Sequence, residues 1–518
     1  MPTNDGLIKT LSKIISQAPF LRLILFIIPG IILETQLNLD RQLYYIIAGV
    51  SLLLIYLSFR PYVTGYYGLR LQWLFGMGLL LFCISSTGLL THKHWQKSVW
   101  HGDGKEHTYH VQIIDDAVVK PKTLMFSVKT GSYRTQIYLP KDSASYALRP
   151  ADSLLIRASF EQTESWYQRS HQIAAFAFVS HWEKIEPIGK QPFNIRFTAL
   201  KYRRYLLEHL RRIIHEEKEF SVAAALIFGY KANMDKDLQQ TFASTGCIHI
   251  LSVSGLHFSI IYAILYFVFS FLGNGMKSRI IRQAIILLLL WGFAFLTGMP
   301  VPVIRAALML TLWGIGSTFM IRSFNLNTVC VAAFFMLIYN PLNLYDIGFQ
   351  LSFSAVLSIL LIYPHLYSLL SLRNTLLRNA WQLSCVSIAA QAGTTPLSIY
   401  YFCQFPVLFL FTNLVAIPIT TVLLGLIPVS LALEFIFGKA LTIIPVNTVL
   451  HIFISVLEWF GSIPNAVSYT NQISVTYIIF TYFAEIFLIL FIFRRRLIHL
   501  FLLICITIYL IFPQIFGA

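Results

Sequence analysis

Over most of this chain, hydrophobic positions do not alternate with polar ones; they run on. Three apolar runs open the sequence, at about 20–36, 42–59 and 71–91. Each has about the length that crosses a ~30 Å hydrocarbon core as a helix. A second block holds runs at about 247–272, 283–298, 303–320, 325–340, 347–365, 382–402, 405–437, 442–462, 474–493 and 497–512. The run at 405–437 is too long for one straight span and contains Pro406, Pro418 and Pro428, which predicts a broken helix or a re-entrant segment. Between the two blocks the period changes to two. "HTYHVQII", "TLMFSVKT", "RTQIYLP", "DSLLIRASF" and "IAAFAFVSHW" alternate, and Pro121, Gly131, Pro140 and Pro150 separate them. Five short strands in this space predict a small β-barrel, most economically an OB-like fold. "LKYRRYLLEHLRRIIHEEKEF", Leu200–Phe220, follows as a basic amphipathic helix suited to a membrane interface.

The predicted fold class is therefore a polytopic α-helical membrane protein with an inserted, small, extracytoplasmic OB-like β-domain. Its divisions are 1–91 (three transmembrane helices), 92–200 (β-domain), 201–220 (interfacial helix) and 221–518 (second helical block).

Composition strengthens the membrane reading. Of the 518 residues, 56% are hydrophobic and only 12% charged, where a soluble domain carries roughly a quarter. The net charge of +16 is explained first by Lys and Arg that hold loops on the cytoplasmic side. Lys9, Lys13 and Arg22 put the N-terminus inside, Arg60 and Arg70 return the second loop there, and a third crossing leaves the β-domain outside. Lys277, Arg279 and Arg282, then Arg322, then Arg373 and Arg378 mark further inside loops. Arg494–Arg496 joins them if 405–437 crosses once. No small-residue cleavage site follows the first run, so it reads as an uncleaved helix. The six cysteines lie in or beside apolar runs without a CxxC pair, which argues against a disulfide framework or a cysteine zinc site.

Polar residues inside the apolar block ask for a reason, because an ionisable group at mid-bilayer costs about 2.5–3.5 kcal/mol on insertion scales. His249, Ser252, Ser254 and His257 share "STGCIHILSVSGLHFSII", where Ser254 and Gly255 interrupt the helix pattern and His257 stands three residues beyond Ser254. Arg305 begins another span. Asp346 and Gln350 are spaced i, i+4; Thr394 precedes Pro396, and Asn413 lies in "TNLVAIP". Taken singly, a Ser or Thr here bonds its own backbone, a Gly allows close helix packing, and a charge near a helix end snorkels. Together they form a candidate polar seam through the bundle.

Several activities lack their motif. No GxxxxGK[ST] supplies a P-loop, no HExxH or HxHxDH supplies a zinc-hydrolase site, and "SVSGLH" has Ser252 where GxSxG needs Gly. The chain reads as a non-enzyme that needs no cofactor or metal.

"FGYKANMDKDLQQTFASTGCIHILSVSGLHFSII" resembles the opening of the competence domain of ComEC-type DNA-uptake proteins: Gly229, Phe242, Thr245, Gly246, His249, Ser254, Gly255 and His257 occupy that family's motif positions. "PVPVIRAALM", "NPLNLYDIGFQLSFSAVLSI" and "AAQAGTTPLSIYYFCQFPVLFLFTNLVAIP" resemble its later motifs in the same order. The resemblance implies a channel for single-stranded DNA in the bacterial cytoplasmic membrane during natural transformation. It implies a DNA receptor and a cytosolic ATPase or translocase as partners. Many members add a metallo-β-lactamase-like domain; no such motif stands in these 518 residues, so nuclease activity is expected from a separate protein. The β-domain would stack bases on aromatics in a positive groove, with Lys129, Tyr133, Arg134, Tyr138 and Trp166 as candidates. Two other classes stay open: a membrane enzyme acting on a lipid-linked glycan through Asp346 and His257, and a small-solute transporter.

Overall fold

In lipid a backbone must satisfy its own polar groups, and uninterrupted apolar runs do so as helices. The structure, a computed structural model, describes residues 18–64, 72–163, 166–185, 194–232, 234–273, 275–319, 326–438, 443–471, 473–494, 498 and 500–507. Along the chain come α1 (Pro19–Leu37), α2 (Arg41–Thr64), α3 (Gln72–Gln96), β1 (His107–Ile113), β2 (Val118–Val119), β3 (Thr123–Thr130), β4 (Tyr133–Pro140), α4 (Ser143–Tyr146), β5 (Ser153–Ala158), β6 (Glu161–Gln162), α5 (Trp166–Ser170), β7 (Ile173–Phe178) and β8 (Trp182–Ile185). There follow α6 (Ile195–Ile213), α7 (Glu217–Phe228), α8 (Lys236–Ser244), α9 (Gly255–Val268), α10 (Met276–Leu296), α11 (Val301–Thr318), α12 (Leu326–Tyr339), α13 (Ile347–Tyr367), α14 (Thr375–Phe402), β9 (Gln404–Pro406), α15 (Phe409–Phe437), α16 (Ile443–Ser462), β10 (Val467–Tyr469) and α17 (Val475–Arg494).

Among the described residues, nine helices are long and apolar enough to cross a membrane: α1, α2, α3, α9 with its 3-10 extension to Leu272, α10, α11, α13, α15 and α16. The chain is a multi-pass membrane protein. The run at 405–437 is interrupted at Pro406, the last residue of β9, and at neither of its other two prolines. Pro418 and Pro428 lie inside one helix of 29 residues, and the interruption falls ahead of it, where β9 pairs with β10. Neighbouring helices can re-satisfy the backbone groups that proline frees. Of the charges used above to orient the chain, Lys9, Lys13, Arg70, Arg322, Arg495 and Arg496 lie outside the described residues, as do the side chains of Arg60 and Arg494.

Two compact units divide the chain, Met1–Arg204 with Ser270–Phe349, and Tyr205–Phe269 with Gln350–Ala518. In the first, α1 and α2 pack on α3, α12 packs on α1, and α10, α11 and α12 pack in sequence. Its sheet has the order β6-β7-β4-β3-β1-β5-β8, with β2 beside β3; β4 and β7 run parallel and the other pairs antiparallel. Among the described residues this path keeps two ends, so the expected barrel is an open sheet in its ladders. Its end strands β6 and β8 have two and four residues, which leaves little edge to aggregate. One sheet face carries Val111, Ile113, Leu124, Phe126, Val128, Ile137, Leu139, Leu154, Ile156, Ala175 and Ala177 into a single core, as period-two alternation requires.

Polar ties anchor that sheet to the helices of its own unit. Asp116 accepts from Arg203 Nη2 at 2.5 Å and from Arg204 Nε at 2.8 Å, and Arg203 also reaches the Leu296 carbonyl at 3.5 Å. Gln172 bonds His94 at 2.6 Å, and the Arg169 guanidinium lies 5.1 Å from the Trp95 ring centre.

In the second unit, α7 is buried along nearly its whole length, the mark of an interior helix that is apolar all round. Its middle is built from small side chains: Val222, Ala223, Ala224 and Ala225 let α15 and α16 come close. Around this core α9 packs on α15, α14 on α15 and α17, and α8 on α16.

Candidate functional site

The stretch from Ser244 to His257 is built as a turn between two helices of the second unit. Helix α8 ends at Ser244, and Gly246 then takes φ +76°. A Cβ there would lie 3.0 Å from Phe409 Cβ and 3.1 Å from Pro406 Cγ, so both backbone sign and space call for glycine. Cys247 follows, fully buried, its thiol directed at Asn413 Oδ1 of α15 at 3.8 Å. Burial pushes this thiol up to about 12, so it stays protonated as the donor. That contact brings Asn413 to the turn.

Ser254 and Gly255, read above as an interruption, are the N-cap and first residue of α9. The Ser254 hydroxyl accepts from the backbone of His257, and the His257 ring reaches back to the N-cap, a capping box with His in the place usually held by Glu or Gln. His257 Nδ1 lies 3.2 Å from the Ser254 N–H and 2.9 Å from Ser254 Oγ. Because a backbone N–H donates to it, Nδ1 carries no proton, and the ring is the neutral tautomer with hydrogen on Nε2. His249 has the opposite arrangement. Its Nδ1 lies 2.9 Å from the Gly246 carbonyl, which only accepts, so Nδ1 holds the proton and the exposed ring presents Nε2 as an acceptor. Ser252 donates to the His249 carbonyl at 3.1 Å.

The His257 ring is 1% exposed, and among the described residues Nε2 has no hydrogen-bond partner. A buried donor left in this state costs about 1–3 kcal/mol.

Gln350 of the same unit accepts from Tyr401 OH at 2.8 Å. Thr394 donates to the Ala390 carbonyl one turn back, the self-bonding expected of a lone membrane Thr. Between Gln350 and Thr394 lies a close helix contact. A Cβ on Gly393 would sit 2.6 Å from the Ser354 carbonyl oxygen, Ser358 donates to the Ala389 carbonyl at 2.6 Å, and Tyr482 donates to the Gly393 carbonyl at 2.9 Å.

The remaining seam residues belong to the first unit. Arg305 is buried in α11. Asp346 caps α13, accepting from the Phe349 N–H at 2.7 Å, and its other oxygen lies 3.4 Å from His171 Nε2 beside the sheet. Asp346 and Gln350, four positions apart, thus each take part in local hydrogen bonding.

On the sheet, alternation sorts the DNA-binding candidates. Lys129 and Arg134 are register partners on the outer face, and Arg134 pairs with Asp115 at 2.8 Å. Tyr138 lies on the same face, stacked on Phe178 with ring centres 4.9 Å apart, and Phe176 meets Phe178 edge-on at 6.2 Å. Tyr133 has the opposite parity and packs against Trp100 at 5.2 Å. The side chain of Trp166 lies outside the described residues.

Sequence reasoning passed over Phe176 and Phe178, although a strand whose large residues alternate with Ala, "AAFAF", points its bulk away from a tight core. It also passed over two carboxylates inside apolar runs. Glu34 is buried against His92 Nδ1 at 2.6 Å, and Glu434 against His209 Nδ1 at 2.6 Å. A lone carboxylate in a membrane-length run was the available signal. Among the described residues no group of three or more His, Cys, Asp or Glu side chains could hold a metal.

The family model described as "Competence protein" matches residues 226–495, just over half of the chain, and this match contains the whole turn with Gln350, Thr394 and Asn413. ComE operon protein 3 of Bacillus subtilis (strain 168) is 28% identical over 231 residues, which cover 45% of this chain and 28% of that protein. An uncharacterized protein of Aquifex aeolicus (strain VF5) is 31% identical over 197 residues, 38% of this chain and 44% of that one. The matches thus span less than half the length of either relative. No solved structure matches the chain.

Proposed function

The chain belongs to the competence protein family, and on that premise we propose that it is a conduit for single-stranded DNA across the bacterial cytoplasmic membrane in natural transformation. The observation that carries this reading is the turn at 246–254: a polar, tautomer-defined element at the head of a membrane-length helix, inside the matched region. A simple anchor helix has no use for it. In this reading His249, Ser252, Ser254, Gly255, His257, Gln350, Thr394 and Asn413 line or support the path within the second unit, and Arg305 and Asp346 do so within the first.

The sheet domain would capture the strand outside the cell. Its five longer strands, with one parallel neighbour in an otherwise antiparallel order, support an OB-like, partly open Greek key. The outer face offers Tyr138, Phe176 and Phe178 for stacking and Lys129 for phosphate. The N-terminus is cytoplasmic in this arrangement. Moving phosphates into an inside-negative cell costs about 2.3 kcal/mol per charge per 100 mV. No P-loop stands in the sequence, so a cytosolic ATPase supplies the work and a receptor delivers the DNA.

The test is entry of labelled DNA into competent cells deleted for this gene and restored with wild type, His257→Leu, Ser254→Val or Asp346→Asn. Entry should stop in the deletion with DNA held outside the inner membrane, and the variants should restore it poorly at normal membrane levels. Unchanged entry in the deletion would favour the enzyme acting on a lipid-linked glycan instead.

A further inference from the structure

The buried Nε2 of His257 deepens the conduit reading and rests on it. We propose that His257 is a fixed, uncharged hydrogen-bond donor to the non-bridging phosphate oxygens of the passing strand, with Ser254 as the residue that positions it.

Three observations converge on this role. The Ser254 N–H, 3.2 Å from Nδ1, forces the proton onto Nε2. The Ser254 hydroxyl, 2.9 Å from the same Nδ1, holds the ring plane. Nε2 itself is buried without a partner among the described residues, although buried donors in folded proteins are nearly always satisfied. A donor prepared at one end of the ring and left unused at the other calls for an acceptor that arrives from elsewhere.

The charge state suits a path better than a binding site. An ammonium or guanidinium at this place would hold each phosphate strongly, whereas conduction needs contacts favourable enough to enter and weak enough to leave. A neutral imidazole N–H supplies direction without a full charge. In the proposed arrangement the strand approaches from the side of the polar turn that precedes the ring, where His249 is exposed and Ser252 and Ser254 are half-buried. The turn is neither helix nor strand from Cys247 to Ser254, so it can give way without breaking a regular element.

The experiment compares two labelled DNAs in competent cells whose sole copy of the full chain is wild type, His257→Phe or His257→Gln. One DNA has ordinary linkages. The other carries a block of phosphorodithioate linkages in the transported strand, which keep the negative charge but replace both non-bridging oxygens with sulfur, a weak acceptor. Wild type should import the dithioate block about three- to tenfold more slowly, the range of one hydrogen bond. His257→Phe should import both DNAs at one slow rate, and His257→Gln, which retains an N–H donor, should recover part of the difference. Membrane levels and melting temperatures in detergent are measured for each variant. Equal import of the two DNAs by wild type overturns the proposal, as does a His257→Phe chain that still discriminates like wild type. A His257→Phe chain that merely melts earlier, with discrimination intact, also overturns it and makes the ring a structural cap. Import of both DNAs that is unchanged when the gene is deleted removes the conduit reading itself.

Discussion

At the scale of single residues, small changes of backbone sign and proton position set the candidate site. Gly246 turns the chain at φ +76° with Phe409 and Pro406 against its Cα. Gly246→Ala should add about 1–2 kcal/mol of left-handed strain and press on Phe409, displacing the turn that presents His249 and His257. DNA entry should fall while the protein still reaches the membrane, read by uptake beside a membrane immunoblot. Full uptake by this variant would show that the turn's shape does not matter. The two histidines make the same point about protons. They hold opposite tautomers because one Nδ1 faces a carbonyl and the other an N–H. Their presence could be read in the chain, but the backbone geometry that assigns the protons could not.

At the scale of elements, buried ion pairs fix helices whose composition suggested another role. Helix α6 carries Lys201, Arg203, Arg204, Arg211 and Arg212, a pattern that reads as a lipid-binding face. Two of these are committed inside the first unit: Arg203 and Arg204 both pair with Asp116, whose side chain is 9% exposed. Removing one partner of such a pair costs about 3–5 kcal/mol, while replacing the pair by apolar groups is often neutral. Asp116→Ala should therefore lower the melting temperature of the detergent-solubilised chain, and the triple change Asp116→Leu with Arg203→Met and Arg204→Met should recover most of it. Additive losses in the triple variant would show that the ion cluster is not the source of the effect. Basic residues on a helix announce a charged partner; they do not say whether that partner is lipid, nucleic acid or a carboxylate far back in the same chain.

At the scale of the whole molecule, the proposed conduit assigns passage to the membrane-length helices and capture of the strand to the sheet domain. The outer face of the sheet joins aromatic and basic rows, with Phe178 68% exposed. Base–aromatic stacking is worth about 1–3 kcal/mol per base. Tyr138→Ala and Phe178→Ala in the full-length protein should each weaken binding of a short single-stranded oligonucleotide by roughly five- to a hundredfold. Tyr133→Phe, on the opposite parity, should leave it unchanged, and fluorescence anisotropy in detergent measures all three. Binding that survives loss of both aromatics would place capture elsewhere on the molecule.

The chain's hydrophobic pattern by itself determined its class, the sites of its long helices and the alternating strands between them. Burial in lipid and in a sheet core acts on residues a few positions apart, and local periodicity records it directly. The family motifs were equally legible as residue patterns, because they lie within one or two turns of chain, but that Ser254 is a helix cap and not an interruption came from the folded structure. Long-range contact decided the rest. Cys247 finds Asn413 across 166 positions, and Tyr138 finds Phe178 through a parallel pairing. Pro418 and Pro428 stay within one helix. None of these is encoded in a neighbouring residue, since each depends on which surface the folded chain brings opposite.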